Sequence, residues 1–272
     1  MRGVFMEKHL SEKLDKLKQY LEKLGSAAIA FSGGVDSTFL LQTAHEVLGE
    51  NALAVTIRSE AFPRRETKES QEFCAAKGIP QIVLDFKPLE LEEFVKNPKD
   101  RCYHCKKALF LKIMEEGKKK GICHVAEGSN MDDLGDYRPG LLAVKEMGIL
   151  SPLREAELYK SEIRLLSKEM GLPTWEKPSY ACLASRFVYG EEITLEKLKS
   201  VELGEEFLRE RGFSQIRVRL HGTMARLEVL PEDFGKFLDV EFREEIWDKF
   251  HGLGFSHVSL DLKGYRTGSM NV

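Results

Sequence analysis

Apolar positions fall into two regimes along the chain. Leu10, Leu14, Leu17, Leu21 and Leu24 recur at helical spacing, so residues 7–24 read as an amphipathic helix closed by Gly25. The short apolar run Ala28 to Phe31 follows as a buried strand, and helical spacing resumes from Asp36 to Leu48. ALAVTI (52–57) is the next strand. Arg64 to Lys77 is predicted helical, stopped by Gly78 and Pro80, before a third strand QIVLDF (81–86). A helix after Cys105 that ends near Gly121, a fourth strand CHVAEG (123–128) and a fifth short strand in GILSPL (148–153) complete the first regime. Strands alternating with helices predict an α/β fold, a parallel sheet covered by helices on both faces. Ligands of such sheets bind beyond the carboxyl ends of the strands.

From about Phe187 the pattern changes. Thr194 to Arg211 is helical, QIRVRLHG and ARLEVL are two strands around a glycine turn, Pro231 to Phe250 is helical, and HVSLDL is a last strand. This order predicts a smaller α+β domain, with residues 1–188 as the first domain and 189–272 as the second.

The 272 residues suffice for two such domains, and composition narrows the function classes. The 41 basic and 44 acidic side chains are interspersed, for a formal charge of -3, so bulk electrostatic binding of nucleic acid is not expected. No apolar run has the length of a membrane span, and the start MRGVFMEKHLSEKL is amphipathic and charged, unlike a signal-peptide core. A cytoplasmic protein without a membrane partner is expected. An odd number of cysteines, five, argues against a disulfide framework in that setting.

The densest chemical signal is AAIAFSGGVDST, residues 27–38. The strand end Ala30–Phe31 runs straight into the turn Ser32-Gly33-Gly34, and Asp36 and Ser37 open a helix. Two glycines let backbone approach a ligand closely, and the first N–H groups of the helix attract anions, so a phosphate group is the expected occupant. The lysine of a Walker loop is missing. Asp36 instead offers a carboxylate that a divalent cation can bridge to pyrophosphate. An ordinary strand-turn-helix corner is the plain alternative.

EGSNMDDLGDYRPG (127–140) follows the fourth strand and should face the same crevice, with Gly128 and Arg138 as further nucleotide-binding candidates. Asp132 and Asp133 could hold a second cation or orient a reacting group, or could simply cap a helix. Cys102 and Cys105 stand in C-x-x-C spacing, and Cys182 follows in KPSYACLASRF. Three thiolates suit an iron-sulfur cluster with one open iron or, with His104 or His124, a structural zinc; unrelated thiols are the third possibility. Cys74 and Cys123 are expected to be buried packing residues. Arg217 and Arg219 alternate with Val218 and Leu220 on one sheet face, near Arg226 and His221, and could clamp a phosphate; a solvated face is the alternative.

The hexapeptide SGGVDS resembles the signature of the PP-loop ATP pyrophosphatases. Together with EGSNMDDLGDYRPG, PSYACLASR, RVRLHGTMARLE and LDLKGYRTGSMN, it resembles the LarE family over nearly the whole chain. These are ATP-dependent sulfur transferases acting on pyridinium-3,5-biscarboxylic acid mononucleotide in building a nickel-pincer nucleotide cofactor. The resemblance implies that ATP and Mg2+ serve to adenylate a substrate carboxylate, and that Asp36, Cys102, Cys105 and Cys182 act in catalysis. It further implies that Arg186, Arg217 and Arg219 bind the mononucleotide, with a sulfide donor as second partner and a homo-oligomer, trimer or hexamer, as the assembly. Many members carry only the cysteine matching Cys182 and sacrifice its sulfur. The added Cys102 and Cys105 look like the three-cysteine branch, whose 4Fe-4S cluster carries the sulfide on its open iron. A tRNA thiolase, an amide-forming ligase of the NAD-synthetase type and a non-enzymatic ATP-gated metal module are the rival readings.

Overall fold

The computed structural model describes residues 2–135, 139–178, 181–266 and 268–270. Its elements are α1 (Arg2–Leu24), β1 (Ala27–Ala30), α2 (Val35–Leu48), β2 (Ala52–Arg58), α3 (Arg64–Lys77), β3 (Gln81–Asp85), α4 (Glu92–Val95), α5 (Arg101–Lys119) and β4 (Val125–Ala126). They continue with α6 (Pro139–Glu146), α7 (Pro152–Glu155), α8 (Lys160–Glu169), α9 (Leu195–Glu210), β5 (Ile216–His221), β6 (Met224–Val229), α10 (Val240–Gly252) and β7 (His257–Leu260). The chain clusters into two units. The first comprises Met1–Ser59, Arg64–Phe86 and Cys102–Ser179, and the second Glu60–Pro63, Lys87–Arg101 and Tyr180–Val272.

In the first unit the strands lie in the order β3-β2-β1-β4, all parallel. Alternation along β1 explains how the sheet buries both faces. Ala27 and Ile29 join a core with Leu17 and Leu21 of α1, Phe39 and Leu40 of α2 and Ile163 of α8. Ala28 joins the opposite core, with Phe110 and Ile113 of α5, Val125 and Val144. Each fully buried side chain of this size stabilises the unit by roughly 1.5–3 kcal/mol. The predicted fifth strand is reduced to one parallel bridge, Ala126 to Leu150. Strand order reverses beside β1, so the crevice of an open α/β sheet lies at the carboxyl ends of β1 and β4.

Two departures matter for function. Helix α5 begins at Arg101, ahead of the expected start, so both cysteines of the C-x-x-C pair belong to its first turns. Helix α8, which the apolar pattern did not mark out, starts at Lys160 behind a capping box of Tyr159 and Glu162.

The second unit pairs β5 and β6 as an antiparallel hairpin, with β7 parallel to β6. Thr194 caps α9 by accepting from the Lys197 N–H at 3.3 Å. The single helix expected from Pro231 to Phe250 is divided: a 3-10 turn runs Pro231–Leu238, and Asp239 restarts the chain by capping α10 at the Phe242 N–H, 2.9 Å. Residues 87–101 are tied to the chain after residue 180 by hydrogen bonds. Asn97 donates to the Val188 carbonyl at 2.7 Å, Arg101 to the Ala184 carbonyl at 3.0 Å, and Leu183 N–H to the Ala61 carbonyl at 2.8 Å.

Candidate active site

The loop after β1 is held as the motif requires. Phe31 N–H donates to the Val55 carbonyl at 2.9 Å, and the Thr56 hydroxyl donates to the Phe31 carbonyl at 2.9 Å, so the strand end is fixed from β2. Gly33 turns the chain at φ +70°, a region that only glycine enters cheaply. Gly34 is the N-cap of α2 and supplies no side chain, leaving the first N–H groups of that helix for a ligand. The Ser37 hydroxyl donates back to the Gly34 carbonyl at 3.2 Å and accepts from Ser32 N–H at 3.3 Å. Gly128 meets this turn from the end of β4. A Cβ there would sit 3.0 Å from Ser37 N and 3.3 Å from the Asp36 Cβ, so any side chain would crowd the start of α2.

Asp36 is partly exposed at the mouth of the loop. Lys160, the first residue of α8, forms an ion pair with one of its oxygens, and the Asn130 amide donates to the other at 3.2 Å. A Walker lysine is missing in the motif, yet a lysine reaches the loop from 124 positions away. Lys177 reaches it too, donating to the Gly33 carbonyl at 3.0 Å and to Glu66 and Glu69 of α3 at 2.8 and 2.6 Å. Asp132 accepts the Lys160 N–H at 2.7 Å and Asp133 the Asn130 N–H at 2.9 Å. Both aspartates thus serve as caps that hold the turn and the start of α8. Glu127 is buried and accepts from the Ser129 and Ser151 hydroxyls, each at 2.7 Å. Arg138 lies outside the described residues. Asp36 is a hard oxygen donor beside an anion-binding turn and fits magnesium, which would take the place of the Lys160 ammonium on its carboxylate.

Cys102 is exposed and Cys105 half-buried on α5, three positions apart and therefore neighbours on one helical face. Cys182, half-buried, belongs to the second unit. Among the described residues no group of three or more His, Cys, Asp or Glu side chains is gathered to hold a metal ion. Cys102 and Cys105 are the thiols that the first unit offers to a cluster, and Cys182 is the one that the second unit offers. Cys74 is buried as expected, and burial pushes its thiol up to about 12. Cys123 is exposed, against expectation: it lies just ahead of the two-residue strand β4, outside its buried positions.

In the second unit the arginines stand in buried surroundings, not on a solvated face. Arg186 is fully enclosed: Nε and Nη2 donate to Glu205 at 2.8 and 2.9 Å, and Nη1 donates to the carbonyls of Ala181 and Cys182 at 2.7 and 3.1 Å. Burial opposes both charges, but their mutual attraction prevails, holding Arg186 above its ordinary pKa and Glu205 below. Arg219 is neutralised by Glu228, at 3.0 and 2.8 Å, and donates to Ser269 at 2.9 Å. Arg217 lies 5.0 Å from the ring centre of Tyr265, and burial together with the positive charge of Arg186 pulls it down to about 10. The sequence reading of Arg217 and Arg219 as neighbours on one face agrees with the strand register, which sets Arg217 opposite Glu228 and Arg219 opposite Arg226.

No family model matches the chain. It is 41% identical over 96% of its length to an uncharacterized protein of Synechocystis sp., 98% of which is covered. A more distant likeness, 29% identity over 70% of the chain and 64% of the relative, is to one subunit of the glutamine-hydrolyzing GMP synthase of Thermoplasma volcanium, in keeping with a PP-loop ATP pyrophosphatase fold. Pyridinium-3,5-bisthiocarboxylic acid mononucleotide synthase of Lactiplantibacillus plantarum is 36% identical over 96% of this chain and 95% of its own length. A likeness of that extent leaves one assignment for the loop, the sheet and the second unit taken together, and the chain belongs to the LarE family.

Proposed function

We propose that this protein is an ATP-dependent sulfur transferase that converts a carboxylate of pyridinium-3,5-biscarboxylic acid mononucleotide into a thiocarboxylate. The observation that carries the reading is the pairing of Asp36 with Lys160 at the glycine turn, a carboxylate for magnesium and a cation for phosphate at one strand end. In the first step a carboxylate oxygen of the substrate attacks the α-phosphorus of ATP and pyrophosphate leaves. The turn N–H groups and the Lys160 ammonium stabilise the charge on that leaving group. In the second step a sulfur nucleophile attacks the acyl carbon, the C–S bond forms, and AMP departs with the original oxygen. A carboxylate oxygen leaves poorly and AMP leaves well, which is why ATP is needed.

Arg186, Arg217 and Arg219 are the proposed residues for the mononucleotide, Arg217 and Arg219 as the clamp for its phosphate within a second domain at 189–272, and Arg186 also donates to the Cys182 carbonyl. Cys182 alone is the donor set for sacrificial transfer. Cys102, Cys105 and Cys182 together are the donor set for a 4Fe-4S cluster fed by an external sulfide donor. A tRNA thiolase remains the alternative of another substrate class, and the balanced charge of the chain favours the small molecule. A cytoplasmic location is part of this reading, and a homo-oligomer, trimer or hexamer, is carried by the family resemblance.

Pyrophosphate release from Mg-ATP is expected only when the biscarboxylate mononucleotide is present, and Asp36→Ala should abolish it. Release driven by tRNA instead, or undiminished release by the variant, would overturn the proposal.

A further inference from the structure

We propose that Lys177 is a positioning residue that locks the Gly33–Gly34 peptide so that the Gly34 N–H is turned toward the pyrophosphate of bound ATP. The inference rests on the nucleotide reading of this loop given above. No cis peptide occurs among the described residues, so the carbonyl of Gly33 and the N–H of Gly34 lie in one peptide plane and point in opposite directions within it. The Lys177 ammonium holds that carbonyl at 3.0 Å. The N–H therefore faces away from Lys177 and makes a long contact to the Ser32 hydroxyl, 3.4 Å.

A lock is needed because both flanking residues are glycine. Rotation of this peptide meets no Cβ on either side, and a flipped plane would present the carbonyl oxygen to the anion. The lysine itself is held stiffly. Glu66 and Glu69 accept from it at 2.8 and 2.6 Å, and the Arg164 fork donates to the carbonyls of Trp175 and Lys177 at 2.5 and 2.9 Å, fixing the segment that carries it. With its donors directed at Gly33, Glu66 and Glu69, Lys177 acts on phosphate through the peptide and not by contact.

The full-length protein is to be titrated with inorganic pyrophosphate and, separately, with AMP, both with magnesium. For Lys177→Met we expect pyrophosphate affinity to fall at least about tenfold with AMP affinity within about twofold of wild type, and Lys177→Arg to recover most of the loss. The double variant Glu66→Gln/Glu69→Gln separates a lock from a direct phosphate contact, because the two predict opposite signs. Loosening a lock weakens pyrophosphate binding, whereas freeing a phosphate-binding ammonium from two carboxylates strengthens it. Strengthened or unchanged binding in that variant overturns the proposal, and it serves as the deciding test if Lys177→Met does not fold. Wild-type protein that binds neither pyrophosphate nor ATP would instead overturn the nucleotide reading beneath it.

Discussion

Arg186 and Arg217 are both buried, yet their environments ask opposite things of them. Arg186 has a two-point partner in Glu205, so removing the arginine alone strands a buried carboxylate, which typically costs about 3–5 kcal/mol. The sign of the pH dependence follows. Glu205 is held below its ordinary value of 4.5, so its contribution is complete above about that pH and is lost as the pH falls through the lowered value. Arg217 is depressed instead, which means that its charged form is destabilised by where it sits. Arg186→Leu is therefore expected to lower the midpoint of urea unfolding sharply, while Arg217→Met leaves it unchanged or raises it and weakens binding of the mononucleotide. Equal losses of stability in the two variants would remove the argument that Arg217 is retained for a ligand. At this scale the sequence is informative where chemistry is local. SGGVDS names its own turn, and Gly128 stands out in the motif after the fourth strand, for which the structure supplies the reason, a close approach to Ser37. Lys160 and Lys177 are not legible, because a lysine reveals nothing until the fold carries it across 124 or 144 positions to its partner.

Helix α8 is the element on which the candidate site turns. Its first residue faces Asp36, its Arg164 holds the Lys177 segment, and its approach passes through Glu157, a non-glycine residue at φ +58°. Lys13 of α1 stabilises that approach, donating to the Glu157 carbonyl at 2.8 Å and to both oxygens of Glu162 at 2.7 and 2.8 Å. Lys13→Met should cost about 1–3 kcal/mol in urea unfolding, since it leaves the Glu157 carbonyl without this donor and the partly buried Glu162 carboxylate with the Tyr159 N–H in place of an ammonium. It should also raise the KM for ATP without touching the nucleotide. A KM equal to that of wild type would show that Lys160 is placed without help from α1. The apolar spacing of α1 predicts its helix from Leu10, Leu17 and Leu21, but the role of Lys13 on its polar side has no signature in spacing. Helices α5 and α10 show the complementary limit, since caps and 3-10 turns set boundaries that periodicity alone blurs.

For the whole molecule the open chemical question is sulfur, and exposure supplies a way to ask it. Cys102 and Cys123 are exposed while Cys74 is buried with its thiol pushed up to about 12, so native protein without iron should alkylate at the first two and spare the third. After anaerobic reconstitution with iron and sulfide, a cluster on Cys102, Cys105 and Cys182 predicts labelling at Cys123 alone, read by peptide mass mapping. Labelling of Cys102 in protein that retains its iron would exclude the cluster and favour sacrificial transfer from Cys182.

The six segments of the two units alternate along the chain, so the polypeptide passes from one to the other five times. Asn97 is bonded to a carbonyl 91 positions later, and at about 5–20 residues per second a ribosome needs roughly 5–18 seconds to supply that acceptor. During that interval the nascent chain carries a segment whose destination has not been made. The second unit therefore completes its bonding around residue 97 only after the chain up to residue 188 has been made.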